Sequence, residues 1–135
     1  MIDAQLRIMR FMYAAFLFVM IMQAYVLRIV RKPPVTEMES TLLFALGGMG
    51  VLLLIISQSI LRMKLSVLKE GISLHEGNMK LRAQWQAFFV INLAVNEAAY
   101  LFGWVLCFMG APVEKVGLLM GAAFLSQLSF YPTRP

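Results

Sequence analysis

Four long apolar runs fill most of this chain, at about Met9 to Leu27, Leu42 to Leu61, Trp85 to Met109 and Val116 to Phe130, and they must be buried in something other than water. Hydrophobic residues make up 61% of the 135 positions and charged residues only 14%, whereas soluble domains are roughly half apolar and a quarter charged. A helix that rises about 1.5 Å per residue needs roughly 20 mostly apolar residues to cross a hydrocarbon core of about 30 Å. Each run meets that length or comes close. The expected fold is all-α: one integral membrane domain over residues 1–135, with four transmembrane helices surrounded by the lipid bilayer.

The first run has Arg7 and Arg10 ahead of it, the order found in a signal peptide. It is nevertheless long enough to span, has no small-x-small cleavage site after it, and is closed by Arg28, Arg31, Lys32 and Pro33-Pro34 as a stop-transfer flank would be. Retention is expected. With four spans both termini share a side, and the positive-inside rule decides which. Arg7, Arg10, Arg62, Lys64, Lys69, Lys80, Arg82 and Arg134 lie on that side, against Arg28, Arg31, Lys32 and Lys115 on the other, so both termini are expected in the cytoplasm. The net charge of +5 reflects this bias and attraction to anionic headgroups. No nucleic-acid partner is implied. The expected location is a bacterial inner (plasma) membrane.

Between the second and third runs lies a cytoplasmic loop, about residues 62 to 84, in which Gly71 and Gly77 are expected to interrupt any long helix. Leu65, Leu68, Ile72 and Leu74 give it an apolar face. It reads either as an interfacial extension of the second helix, with Lys64 and Lys69 reaching lipid phosphates, or as a partner-binding loop. His75, the only histidine, reads as a solvated loop residue, and one histidine does not supply a zinc or bis-histidine haem site. Cys107 stands alone in the third run and behaves as a small hydrophobe. No metal and no cofactor is expected.

The third run carries the chemistry. At 100° per residue Gln86, Asn92, Asn96, Glu97, Tyr100, Gly103, Trp104 and Cys107 fall within an arc of roughly 140°, a polar stripe at membrane depth. A charged carboxylate at a helix centre costs about 2.5 to 3.5 kcal/mol on insertion scales, so Glu97 must be neutralised, paired or hydrated. Desolvation favours its protonated form; pairing with Arg28 or Arg62 is the alternative. One reading makes Asn92, Asn96 and Glu97 hydrogen-bonding glue between helices, each bond worth about 0.6 to 2 kcal/mol. The other makes Glu97, with Asn92, Asn96 and Tyr100, an ion-binding site. Gln23, Ser57, Gln58, Ser126 and Gln127 are potential partners on the other helices, and Gln58 shares a face with Arg62. Gly117 and Gly121, four apart, either admit a neighbouring backbone or reflect the glycine enrichment of membrane helices.

The stretch Asn96-Glu97-Ala98-Ala99-Tyr100-Leu101-Phe102-Gly103 resembles the carboxylate-bearing helix of rotary ATPase proteolipid (c-ring) subunits, and Gly47-Gly48-Met49-Gly50 resembles the glycine-rich partner helix of that family. The resemblance implies that Glu97 carries a proton or cation within an oligomeric ring, that Gly47 and Gly50 serve helix packing, and that the loop between these helices is cytoplasmic. The spans hold no nucleophile–base pair and no acid pair, so catalysis by this chain is not expected. The reading carried forward is a small integral subunit that binds and scaffolds within a larger membrane complex or a homo-oligomer. Ion translocation through Glu97 and a holin-like pore are the alternatives.

Overall fold

The computed structural model describes residues 2–30, 40–75, 77–111 and 113–133. Within them the chain is helical, with α1 over Ile2–Val30, α2 over Ser40–Ile56, a π-helical turn over Ser57–Leu61, α3 over Arg62–Leu74, α4 over Met79–Phe108 and α5 over Val113–Leu128. Because α2, the π turn and α3 run on without a break, the architecture is four helical rods. Three are long and apolar enough to cross a membrane: α1, the continuous Thr41–Leu74 rod and α4. The 16 residues of α5 reach only about 24 Å at 1.5 Å per residue. The flank Arg31-Lys32-Pro33-Pro34 and the tail residues Arg134 and Pro135 lie outside the described residues.

Local chemistry sets the ends of these helices. Asp3 sits in the first turn of α1 and Arg28 in its last, each complementing the helix dipole. Asn78 caps α4 by accepting from the backbone N–H groups of Lys80 and Leu81 at 3.1 and 3.3 Å. At the other end of α4, Gly110 takes φ 94°, the left-handed conformation that glycine adopts without a Cβ penalty. Its N–H donates to the Cys107 carbonyl and that of Ala111 to Leu106, each at 3.0 Å, closing a Schellman turn that sends α5 back antiparallel to α4.

The segment between Arg62 and Gln84 is mostly helix. Only the neighbourhood of Gly77 breaks it, whereas Gly71 stays inside α3, where a Cβ would meet Leu81 at 3.5 Å. Leu65, Leu68 and Ile72 recur at the 3.6-residue period and bury one face of α3 against α4 and α1.

α4 is the hub. It packs against α1, α2, α3 and α5, and 44% of its apolar window is buried, against 11% for α1 and 11% for the Thr41–Leu74 rod. Leu6, Met9 and Tyr13 of α1, the α3 face, and Trp85, Phe89 and Leu93 of α4 form the largest buried cluster, which Phe130 completes after α5 ends. That cluster sits where the N-terminal turns of α1 meet the residues following α5: the Tyr13 hydroxyl donates to the Leu128 carbonyl at 3.0 Å and Arg10 Nε to that of Pro132 at 3.3 Å. Both described ends of the chain therefore lie at one end of the bundle.

Among the glycines compared, Gly50 and Gly103 leave a neighbouring helix the least room for a side chain. A Cβ on Gly103 would stand 2.7 Å from Met120 Cγ, and one on Gly50 2.7 Å from a Leu119 methyl. Gly47 and Gly121 have nothing within 4 Å, and Gly117 is half-buried. Gly103→Leu should thus overpack the α4–α5 contact and lower stability by about 1–3 kcal/mol, while Gly50→Ala, facing the mobile end of Leu119, should cost less. Unfolding of the purified variants in mild detergent measures both.

Candidate functional site

The polar residues of α4 diverge into two sets around the helix. Asn92 and Asn96, one turn apart and fully buried, face the π turn and α5. Ser57 donates to Asn92 Oδ1 at 2.6 Å, and Ser126 to Asn96 Oδ1 at 3.0 Å. Gln58 Nε2 donates to the Ser126 hydroxyl, and Arg62 donates to Gln58 Oε1 at 2.8 Å. A hydrogen-bonded ladder therefore runs from exposed Arg62 through Gln58 and Ser126 to Asn96 in the interior. It enters the bundle at the π turn, a feature often found at functional sites. There Ser59 donates to the Ile55 carbonyl and competes with the regular i−4 pattern.

The second set turns toward α1. The Tyr100 hydroxyl donates to the Met20 carbonyl at 2.8 Å, and Trp104 Nε1 to the Gln23 carbonyl at 2.6 Å. Tyr100 is thus committed to joining α4 to α1. Near the charged end, Gln5 of α1 donates to the Arg82 carbonyl and to Gln86 Oε1, at 2.8 and 3.1 Å, and accepts from Arg82 Nε. Glu97 is half-buried beside Gln23 of α1.

Several atoms in these two sets are unfulfilled. Gln23 Oε1, Asn92 Nδ2, Asn96 Nδ2, both Glu97 carboxylate oxygens and both amide atoms of Gln127 are buried and have no hydrogen-bond partner among the described residues. Arg62, one expected counter-ion for Glu97, is engaged with Gln58 instead. Buried amide N–H groups call for an acceptor such as water, and buried carboxylate oxygens for a donor or a bound proton. No three His, Cys, Asp or Glu side chains gather as a metal site among the described residues.

The sequence signals for Asn92, Asn96, Glu97, Ser57, Gln58, Ser126 and Gln127 were their polarity at membrane depth. The acceptors of Tyr100 and Trp104 carried no such signal, because they are backbone carbonyls of another helix. Comparison with protein-family models, with curated proteins and with solved structures finds no match to this chain.

Ser126 both accepts from Gln58 and donates to Asn96. Ser126→Ala should therefore remove two links of the ladder and lower bundle stability by about 1–2 kcal/mol. Ser59→Ala, which touches only its own helix, should change it by less than about 0.5 kcal/mol. Equal effects from the two variants in detergent unfolding would show that the ladder does not hold the helices.

Proposed function

We propose that the chain is a small integral membrane subunit that binds and scaffolds within a larger assembly, of its own copies or of other membrane subunits. In this reading all four rods span the membrane. α5 suffices because it runs beside the apolar part of α4 and stops at the level where Arg10 and Arg62 appear. Both termini face the cytoplasm, and the membrane is a bacterial inner membrane.

The observation that carries the proposal is the placement of the glycines. Glycine in a helix costs about 1 kcal/mol relative to alanine, and Gly50 and Gly103 repay it through close contacts within the chain. Gly47, Gly48 and Gly121 have no such contact: nothing lies within 4 Å of a Cβ at any of them. Gly47 and Gly48 line an open apolar groove of about 380 Å³ with Phe44, Val51 and Val116. Gly121 lies in a second groove with Met20, Ala24 and Phe124. Small residues at an outward surface let a helix of another subunit approach closely.

Mild-detergent extraction of the tagged chain from its native membranes is expected to give a complex well above the 15.3 kDa of one chain. Gly48→Leu and Gly121→Leu should each shift that complex toward the single chain without altering helicity, since a Cβ at either position has nothing within 4 Å and the rest of the side chain enters an open groove. A particle holding one copy and no other protein would overturn the proposal.

A second reading, ion carriage by Glu97, draws support from its half-buried carboxylate, which stands beside the Gln23 side chain without a hydrogen bond of good geometry. Hydrophobic carbodiimides attack protonated carboxyls in lipid. This reading therefore expects selective labelling of Glu97 that fades as pH rises, and the absence of labelling would remove it.

A further inference from the structure

Where α5 stops, a cleft of about 240 Å³ opens between α3, α4 and the segment Ser129–Thr133. Its floor is apolar and buried, with Leu65, Trp85 and Phe89. Its mouth carries Arg62, Ser66 and Lys69, which lie along one stripe of α3 at spacings of four and three residues. Arg10 of α1 stands at the rim, its Nε donating to the Pro132 carbonyl and its guanidinium 5.4 Å from the centre of the Tyr131 ring.

Among the described residues the partners of these cations are neutral. Arg62 donates to Gln58 Oε1 and lies 5.1 Å from the centre of the Phe130 ring, while Lys69 donates to the Thr133 hydroxyl. A guanidinium offers five N–H donors and an ammonium three, so most of their hydrogen-bonding capacity is not taken up by the described residues. Two cations lining one concave place with donors to spare, and a third bonded to the segment that walls it, suit a phosphate oxyanion. Depth points to its source. Arg10 stands at the start of the first apolar run, the second ends just before Arg62 and the fourth ends at Phe130, so the cleft lies where hydrocarbon gives way to headgroups. Its apolar floor suits the glycerol and first acyl carbons of a lipid.

We propose that this cleft binds the phosphate of an anionic phospholipid headgroup, with Arg62 and Lys69 as the principal donors. The inference rests on the membrane placement proposed above and not on assembly. Native mass spectrometry of the detergent-extracted chain with added phosphatidylglycerol reads both at once, since lipid adducts and subunit mass appear in one spectrum. The wild type should retain the lipid, and the R62Q/K69Q double variant should bind it roughly 25-fold more weakly, about fivefold per charge. K64Q removes a charge that lies over Phe88 instead and should bind at most about fivefold more weakly. The charge-conserving R62K/K69R variant should restore binding, which separates lost charge from lost fold.

Inorganic phosphate provides the second arm. If millimolar phosphate raises the Tm of the wild type but not of R62Q/K69Q, and no lipid is retained, the site recognises phosphate but takes it from a soluble ester. Equal lipid retention by the wild type and R62Q/K69Q, with no phosphate effect on Tm, would overturn the proposal whatever the mass of the assembly.

Discussion

Polar side chains on α4 must find partners inside a bundle whose outer surface is apolar, and the arrangement of the other helices follows from that demand. Asn92 and Asn96 bring in the π turn and α5 through Ser57 and Ser126. Tyr100 and Trp104 fasten α1 through its backbone carbonyls. Apolar packing alone discriminates weakly between helix pairings in lipid, because lipid tails are as apolar as leucine. The hydrogen bonds supply the discrimination, and the Gly103–Met120 and Gly50–Leu119 contacts add shape to it.

The two ends of the bundle are built by different rules. At the far end the chain turns tightly through Gly110, and the small cluster of Leu106, Cys107, Ala111 and Val116 closes it. At the end where the termini meet, α1, α3 and α4 extend past the last turn of α5 and bury a larger apolar cluster that includes Trp85 and Phe89. That end is also rich in cations, and several of them lie over aromatic rings: Arg10 over Tyr131, Arg62 over Phe130 and Lys64 over Phe88. Such contacts let long basic side chains lie along apolar surface while their heads stay near water. The segment after α5 is held there by Phe130 and by the hydrogen bond from Arg10, while Tyr13 bonds the last residue of α5, so it belongs to the bundle rather than trailing from it.

Much of this was legible in the amino-acid order. Helices of membrane-crossing length follow from run length, because a backbone in hydrocarbon must satisfy its own hydrogen bonds. The burial of Asn92 and Asn96 follows from the cost of polar atoms at that depth, and the Gln58–Arg62 contact from their spacing of four. The helical character of the 62–74 segment was obscured by Gly71, whose modest local penalty is outweighed once Leu65, Leu68 and Ile72 are packed against α4. The glycine contacts were legible in part: the cluster around Gly50 was expected to pack, whereas the tight contact of Gly103 with Met120 carried no spacing signal and Gly121 has nothing within 4 Å of a Cβ.

The sequence by itself determined that the chain is helical, apolar along its rods, cationic near its ends and polar at one depth of α4, because each of these is a property of one segment and its solvent. Only the tertiary structure decided that Asn96 meets Ser126, that Tyr100 is occupied by Met20, that Glu97 and Gln127 keep unpartnered atoms, and that the cations of α3 surround the segment after α5. Those facts depend on the rotation and axial offset of one helix against another, which arise from many weak contacts acting together and leave no periodic mark in any single segment.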